Sequence, residues 1–208
     1  MTETDVQAQP VTERGASSLG DATLNRLLNK LNTANPRTVG LDIYREQFAT
    51  SGEGQLAEKL RSQPNLFAIC NYGNPGVPPP PEVSLTNHGF NNVLEDVDGV
   101  VRRYPLAVGN AAPCENAYSL SWLLAAHYLE RQGITFQITT EGYLQLGERV
   151  FQPLRPRFGG YQQIDTSGHQ VAINYRATQE IAETISMGEL LSDLTDARIA
   201  QARNDNIG

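Results

Sequence analysis

Apolar positions recur along this chain with two different periods. Leu24, Leu27, Leu28 and Leu31 fall at i, i+3, i+4 and i+7, the spacing of one helical face. This predicts a helix capped by Asp21 and stopped by Pro36. The runs RTVGLDIY (37–44) and LFAIC (66–70) predict buried strands, and a short helix between them, over about 53–66, ends near Pro64. Leu120, Leu124 and Tyr128, supported by Leu123, form a second helical stripe over about 116–132, with Gly133 as its stop. Two strand-like runs, 89–95 and 100–107, flank Asp96-Val97-Asp98-Gly99. TFQITT, YLQLGERVF, YQQID and HQVAINYR read as further short strands, with YQQID-TSG-HQVAINYR as a hairpin. A helix pair over about 186–201 closes the series.

Buried strands separated by helices imply a partly parallel sheet covered by helices, and the hairpins add antiparallel pairs. The expected fold class is therefore α/β: a mixed central sheet flanked by helices, with antiparallel hairpin additions. The expected organisation is a flexible or partly ordered segment over 1–17 and a single domain over 18–208. The segment NYGNPGVPPPPEVSL (71–85) carries four consecutive prolines. They can join neither a helix interior nor a central strand, so this is a loop with a stiff, polyproline-like spacer.

Composition and charge narrow the function classes. The 208 residues carry a formal net charge of −7, which argues against nucleic acid as a partner, because phosphate neutralisation needs a basic face. Arginine outnumbers lysine 14 to 2. Arginine suits planar, bidentate contacts with carboxylates, so it points to internal ion pairs or to an anionic ligand. No run of 18 apolar residues occurs, and nothing here reads as a membrane span. Cys70 and Cys114 permit one disulfide without zinc-motif spacing; sequence alone leaves their pairing open.

The acidic cluster Glu95-Asp96-Val97-Asp98-Gly99 raises the question of metal. With Gly99 at the sixth position of an EF-hand loop, Leu94 falls first and Pro105 twelfth, and neither can ligate calcium there. A looser calcium site stays open, but Asp-Gly between two apolar runs reads best as a hairpin turn, with Asp96 and Glu95 paired to Arg102 or Arg103. Paired carboxylates for glycoside hydrolysis, Asp42 with Asp165 or Asp96, are the weakest reading. His88, His127 and His169 share no ligand spacing, and no nucleophile elbow, Walker loop or dinucleotide fingerprint occurs. No catalytic residue, metal or cofactor is expected.

One set of polar residues sits at predicted strand ends and turns: Asp42, Tyr44, Arg45, Asn91, Arg102, Arg103, Tyr161, Asn174, Tyr175 and Arg176. Polar groups at the carboxyl ends of strands in an α/β sheet line ligand crevices. The competing reading is an internal network that pins loops. The ligand reading takes an unidentified small polar or anionic molecule.

The segments GLDIYR, GFNNV, DVDGVVRR, SL (119–120), GGY (159–161) and INYR, in that order and spacing, carry a resemblance. The chain resembles the type-two CHASE domain, the second family of the cyclase and histidine-kinase associated sensory extracellular domains. The likeness runs from about residue 3 to residue 195, with a cyanobacterial cast in GLDIYRE and the four prolines. The resemblance implies a non-catalytic sensor outside the cytoplasmic membrane, in the periplasm, anchored through segments outside this sequence and feeding a cyclase or kinase module. It also implies truncation at both ends, since the family's anchor and apolar strand would precede Thr2–Asp5 and another apolar strand would follow the last helix. Exposed sheet edges would then invite a homodimer. A structural dimerisation module without a small-molecule ligand is the alternative.

Overall fold

The computed structural model describes residue 7 and residues 19–46, 54–177 and 182–192. The expected flexible segment over 1–17 and most of the last helix pair lie outside them. The chain forms two compact units, one comprising residues 1–36, 48–63 and 176–208, the other residues 37–47 and 64–175.

The first unit is helical among the described residues. Helix α1 is Asp21–Thr33. Gly20, not Asp21, is its N-cap, and Asp21 falls in the first turn, where its charge faces the positive end of the helix dipole. Ala34 ends the helix and Asn35 turns left-handed (φ 50°), ahead of Pro36. Leu24 and Leu28 are buried, as the periodicity predicts. Helix α2 is Gly54–Ser62 and buries Leu56 and Leu60. Later in the chain, α4 (Met187–Leu191) opens with a capping box in which Ser186 and Glu189 satisfy each other's backbone N–H groups. Both α2 and α4 pack on α1.

The second unit holds three small sheets and helix α3 (Leu120–Glu130). The parallel sheet has strands β1 (Val39–Leu41), β2 (Leu66–Cys70) and β3 (His88–Phe90) in that order, with Ala68 facing both Leu41 and His88. All five residues of β2 are buried, as expected of a central parallel strand. Leu120, Leu123 and Leu124 of α3 pack on Phe67 and Ile69, while Tyr128, the last residue of the predicted stripe, is exposed beside Arg37.

The second sheet is antiparallel: β4 (Leu94–Glu95), β5 (Val101–Ala107) and β9 (His169–Ala172), with β5 central. The run 89–95 is thus divided between two sheets, β3 in the parallel one and β4 here. The turn expected at Asp96–Gly99 forms: Asp96 N–H donates to Val100 O at 3.0 Å and Gly99 N–H to Asp96 O at 2.8 Å. Gly99 takes a φ of 76°, a left-handed conformation cheap only for glycine. YQQID forms no strand. HQVAINYR pairs with β5 instead, from Arg103↔Ala172 to Ala107↔His169. The turn residues misled because β9 finds a non-local partner whose apolar face it completes.

The third sheet contains β6 (Phe136–Ile138), β7 (Leu144–Leu146) and β8 (Arg149–Phe151), all antiparallel. YLQLGERVF is therefore two strands folded about Gly147-Glu148. The ring of Trp122 meets Phe136 and Phe151 edge to face at 5.3 and 5.2 Å, joining α3 to this sheet. A mixed α/β fold results, with parallel and antiparallel strands segregated into separate sheets.

A strand-end crown and a carboxylate–arginine network as candidate sites

Each strand of the parallel sheet ends in a polar side chain, and the three ends are hydrogen-bonded together. Beyond β1, the Tyr44 hydroxyl donates to Asn91 Oδ1 at 2.6 Å and Asn91 Nδ2 donates to Asp42 Oδ1 at 3.2 Å. Asn71, the residue after β2, donates from Nδ2 to the Tyr44 hydroxyl at 3.3 Å. Asn92 donates to Asn71 Oδ1 at 3.3 Å and exchanges bonds with the backbone of Tyr72, both at 3.0 Å. Asp42 and Tyr44 are exposed, while Asn71, Asn91 and Asn92 are half-buried. Arg45 is buried, next in sequence to Tyr44.

The crown rests on a rigid base. Asn91 N–H donates to Cys70 O at 3.2 Å, and Cys70 is disulfide-bonded to Cys114 with both residues buried. Phe90 lies in the same apolar cluster. Gly89 presses on the start of α3: a Cβ there would come within 2.7 Å of Leu120 N and 2.8 Å of Ser119 C. Ser119 caps α3 by accepting from Trp122 N–H at 3.3 Å. The glycine and the serine of the motif pairs GF and SL are thus in contact.

A second group forms around Asp96, whose carboxylate accepts from four donor groups: Arg102 Nη1 at 3.1 Å, Arg103 Nε at 3.3 Å and Nη2 at 2.9 Å, and the Tyr161 hydroxyl at 2.6 Å. Successive strand residues ordinarily point to opposite faces. Here the register steps from Leu94↔Arg103 to Glu95↔Val101, leaving Arg102 as a bulge residue, so both arginines reach one carboxylate. Arg102 also forks onto both oxygens of Asp98 at 2.8 Å. Arg103 spends its remaining nitrogen on Gln170 Oε1 at 2.7 Å and Asp165 O at 3.1 Å, with its guanidinium 5.4 Å from the centre of the Tyr161 ring.

Electrostatics follow from these bonds. Tyr161, then Arg103, hold the Asp96 carboxyl down at about 2. Arg102 lowers Asp98, and Ser167 lowers Asp165. Burial lowers His88, whose Nδ1 lies 3.2 Å from Ser84 O while its Nε2 is buried without a partner. Among the described residues no group of three or more acids, histidines or cysteines is placed to hold a metal ion.

The ten residues singled out from the sequence thus fall into separate places. Asp42, Tyr44 and Asn91 meet in the crown. Arg102, Arg103 and Tyr161 meet around Asp96, which the sequence reading paired with Arg102 or Arg103 and held only as a weaker candidate for a calcium ligand or a catalytic partner of Asp42. The Tyr175 hydroxyl donates to Val101 O at 2.7 Å and extends the β9–β5 contact. Asn174 and Arg176 are exposed, Arg176 in the first unit. Asn71 and Asn92 were missed. Asn71 directly follows a buried strand, the same criterion that selected Asp42, and applying it to β2 would have found it.

Comparison with known proteins agrees with the motif order. A family model, the CHASE2 domain, matches residues 1–207. Comparison with curated proteins and with solved structures gave no match. No helix of the described residues is long and apolar enough to cross a membrane. The chain belongs to the CHASE2 family, the sensory extracellular domains of signalling receptors.

Proposed function

We propose that this chain is the extracytoplasmic, non-catalytic ligand-sensing module of a membrane-anchored receptor, and that its ligand is bound at the crown formed by Asp42, Tyr44, Asn71, Asn91 and Asn92. The observation that carries the proposal is the hydrogen-bonded union of three parallel strand ends. Crevices beyond the carboxyl ends of such strands are where α/β sheets bind ligands. The crown offers hydroxyl, amide and carboxylate groups together, which suits a small polar molecule. The Asp96 network is its frame: its arginines are committed to internal carboxylates and carbonyls, so they hold the 156–167 loop against the hairpin.

Several features support the non-catalytic and extracytoplasmic parts of this reading. The carboxyls of Asp96, Asp98 and Asp165 are all held low, whereas a general acid needs its pKa raised. The buried Cys70–Cys114 disulfide suits an oxidising compartment such as the periplasm. A sensor transmits only what its ligand's differential affinity for two states supplies, and a crown spanning three strands is placed to feel their relative movement. A kinase or cyclase is the output expected for such a module.

The test is an NMR titration of the chain with candidate small polar ligands. The proposal expects the side-chain amides of Asn71, Asn91 and Asn92 to shift together. Shifts confined to residues around Asp96, or saturable binding that leaves these amides still, would overturn it.

A second reading has one observation in its favour. Val93, Val97 and Val100 are all exposed around the β4–β5 turn, a surface suited to contact between receptor chains. A monomer at high concentration by light scattering, unchanged in Val97→Asp, would remove that reading.

A further inference from the structure

Residues 149–164 carry three arginines, Arg149, Arg155 and Arg157, and no carboxylate, in a chain whose net charge is −7. Arg155, Arg157 and Phe158 fall within four consecutive residues, and all three are exposed. Arg149 and Val150, exposed on β8, open the same segment. Arg102 and Arg103 are spent internally, on Asp96, Asp98 and Gln170. Arg155 and Arg157, by contrast, take no ion pair or hydrogen bond among the described residues. Two unspent cations and a phenyl ring thus share one exposed tip.

The tip stands on an ordered support. Ile164 N–H donates to Pro156 O at 3.1 Å and Tyr161 N–H to Phe158 O at 3.0 Å, so the backbone closes on itself as a compact surface loop. Gly159, with a φ of 56°, makes the inner turn. From behind, the Tyr161 hydroxyl holds Asp96 at 2.6 Å and Arg103 donates to Asp165 O at 3.1 Å. Pro153 and Pro156 restrict the backbone on either side of Arg155. A tip ordered in advance loses less entropy when it binds.

We propose that the Arg155–Phe158 tip docks on an anionic phospholipid surface; this rests on the reading above that the chain works tethered to a membrane. Guanidinium groups fork onto phosphate oxygens, and an aromatic ring beside them settles at the boundary of headgroups and acyl chains. A bilayer offers the two in that order, phosphate above and hydrocarbon beneath. An acidic peptide would meet the arginines and leave Phe158 in water. Each arginine near an anionic surface is worth about fivefold in partitioning. That is weak for a free protein, but a tether raises the effective concentration of the surface enough for weak contacts to count. The chain's net negative charge does not forbid the contact. At physiological salt, charges more than about 8 Å from the surface are largely screened, so the local charge of the tip decides. None of the crown residues lies in this segment.

The experiment places the full chain on vesicles of phosphatidylcholine alone, or with about a third phosphatidylglycerol, at physiological salt. A C-terminal histidine tag and a nickel-chelating lipid supply the tether, and untethered chain is measured by flotation. Phe158→Trp reports the position of the tip by fluorescence, after subtraction of wild type, whose one tryptophan is the buried Trp122. The result expected is a blue shift, quenched by brominated acyl chains, on phosphatidylglycerol vesicles and not on phosphatidylcholine. Arg155→Ala with Arg157→Ala abolishes the shift and weakens untethered binding about 25-fold, fivefold for each arginine, while the melting temperature stays near wild type. Asn91→Ala leaves the shift unchanged. The inference fails if phosphatidylglycerol gives no shift, if both vesicles give the same shift, or if the shift survives loss of both arginines. It also fails if polyglutamate binds through these arginines and vesicles do not. Each of those failures leaves the amide titration of the crown as it stands, and a failed crown titration leaves the vesicle result as it stands.

Discussion

The hydroxyl of Tyr44 donates to Asn91 Oδ1 across 2.6 Å and ties the chain beyond β1 to the chain beyond β3. The same hydroxyl accepts from Asn71, beyond β2, so one side chain bridges all three strand ends. Tyr44 is 38% exposed, and water replaces part of what its removal takes away. Tyr44→Phe and Asn91→Ala are each expected to cost about 1 kcal/mol of stability. Because they share a bond, the double variant should lose about 0.5–1 kcal/mol less than the sum of the two. Urea unfolding of the four proteins measures this, and strict additivity would show that the crown is not coupled.

Gly89 is fixed by what lies against it. Any side chain would drive a Cβ into the backbone of Ser119 and Leu120, and backbone at a capped helix start cannot yield as a flexible side chain can. Gly89→Ala is expected to destabilise by about 3 kcal/mol, at the upper end of overpacking costs. Gly40→Ala provides the contrast: its Cβ would meet only the end of the Leu124 side chain, at 2.8 Å, and should cost clearly less. Equal costs would contradict the packing described.

Acid should loosen the molecule in two stages, both of the same sign. His88 is held below its ordinary value of 6.5 by burial. The unfolded chain therefore takes up a proton before the folded one, and stability falls as pH drops below about 6.5. Asp96 is held at about 2 against an ordinary 3.8. Its contribution is present above about 4 and is lost as pH falls toward 2. Tyr161→Phe removes the largest influence on Asp96, so carboxyl NMR should find that group titrating higher in the variant. His88→Leu should flatten the first stage and leave the second. A profile that is flat from pH 7 to 2 would contradict both.

The disulfide links residues 44 apart. Closing a loop of that length in the unfolded chain corresponds to about 4 kcal/mol. Cys70→Ala with Cys114→Ala should lower stability by about that amount, and both sulfurs lie too deep for a mild reductant to act without unfolding. Thiol titration of the native protein should find no reactive cysteine.

Some of this was legible in the residues and some was not, for physical reasons. The leucine spacing of α1, the apolar run of β2 and the Asp-Gly turn are local signals, and each formed as the pattern indicated. Asp96 did pair with Arg102 and Arg103. That both arginines reach it depends on a bulge at Arg102, which no local pattern announces. The 116–132 helix starts only at Leu120, because Tyr118 and Ser119 form bridges with Ala107 and Phe90. HQVAINYR was recognised as a strand but given its sequence neighbour as partner, since pairing to β5 is a tertiary choice. The ten polar residues looked like one set because all lie at strand ends or turns; only the assignment of strands to different sheets separates them.

The measurement that bears most directly on the central claim is a parallel thermal-shift screen of the wild-type chain and Asn91→Ala. It covers amino acids, sugars, nucleotides, organic acids and divalent ions, with EDTA as control. At a hundred times its dissociation constant, a ligand adds about 2.7 kcal/mol to stability, or roughly 5–10 °C for a chain of this size. The account predicts a compound that raises the wild-type melting temperature by that much and has little effect on Asn91→Ala. A compound that stabilises both proteins equally, or no compound at all, would contradict a ligand site at the strand ends.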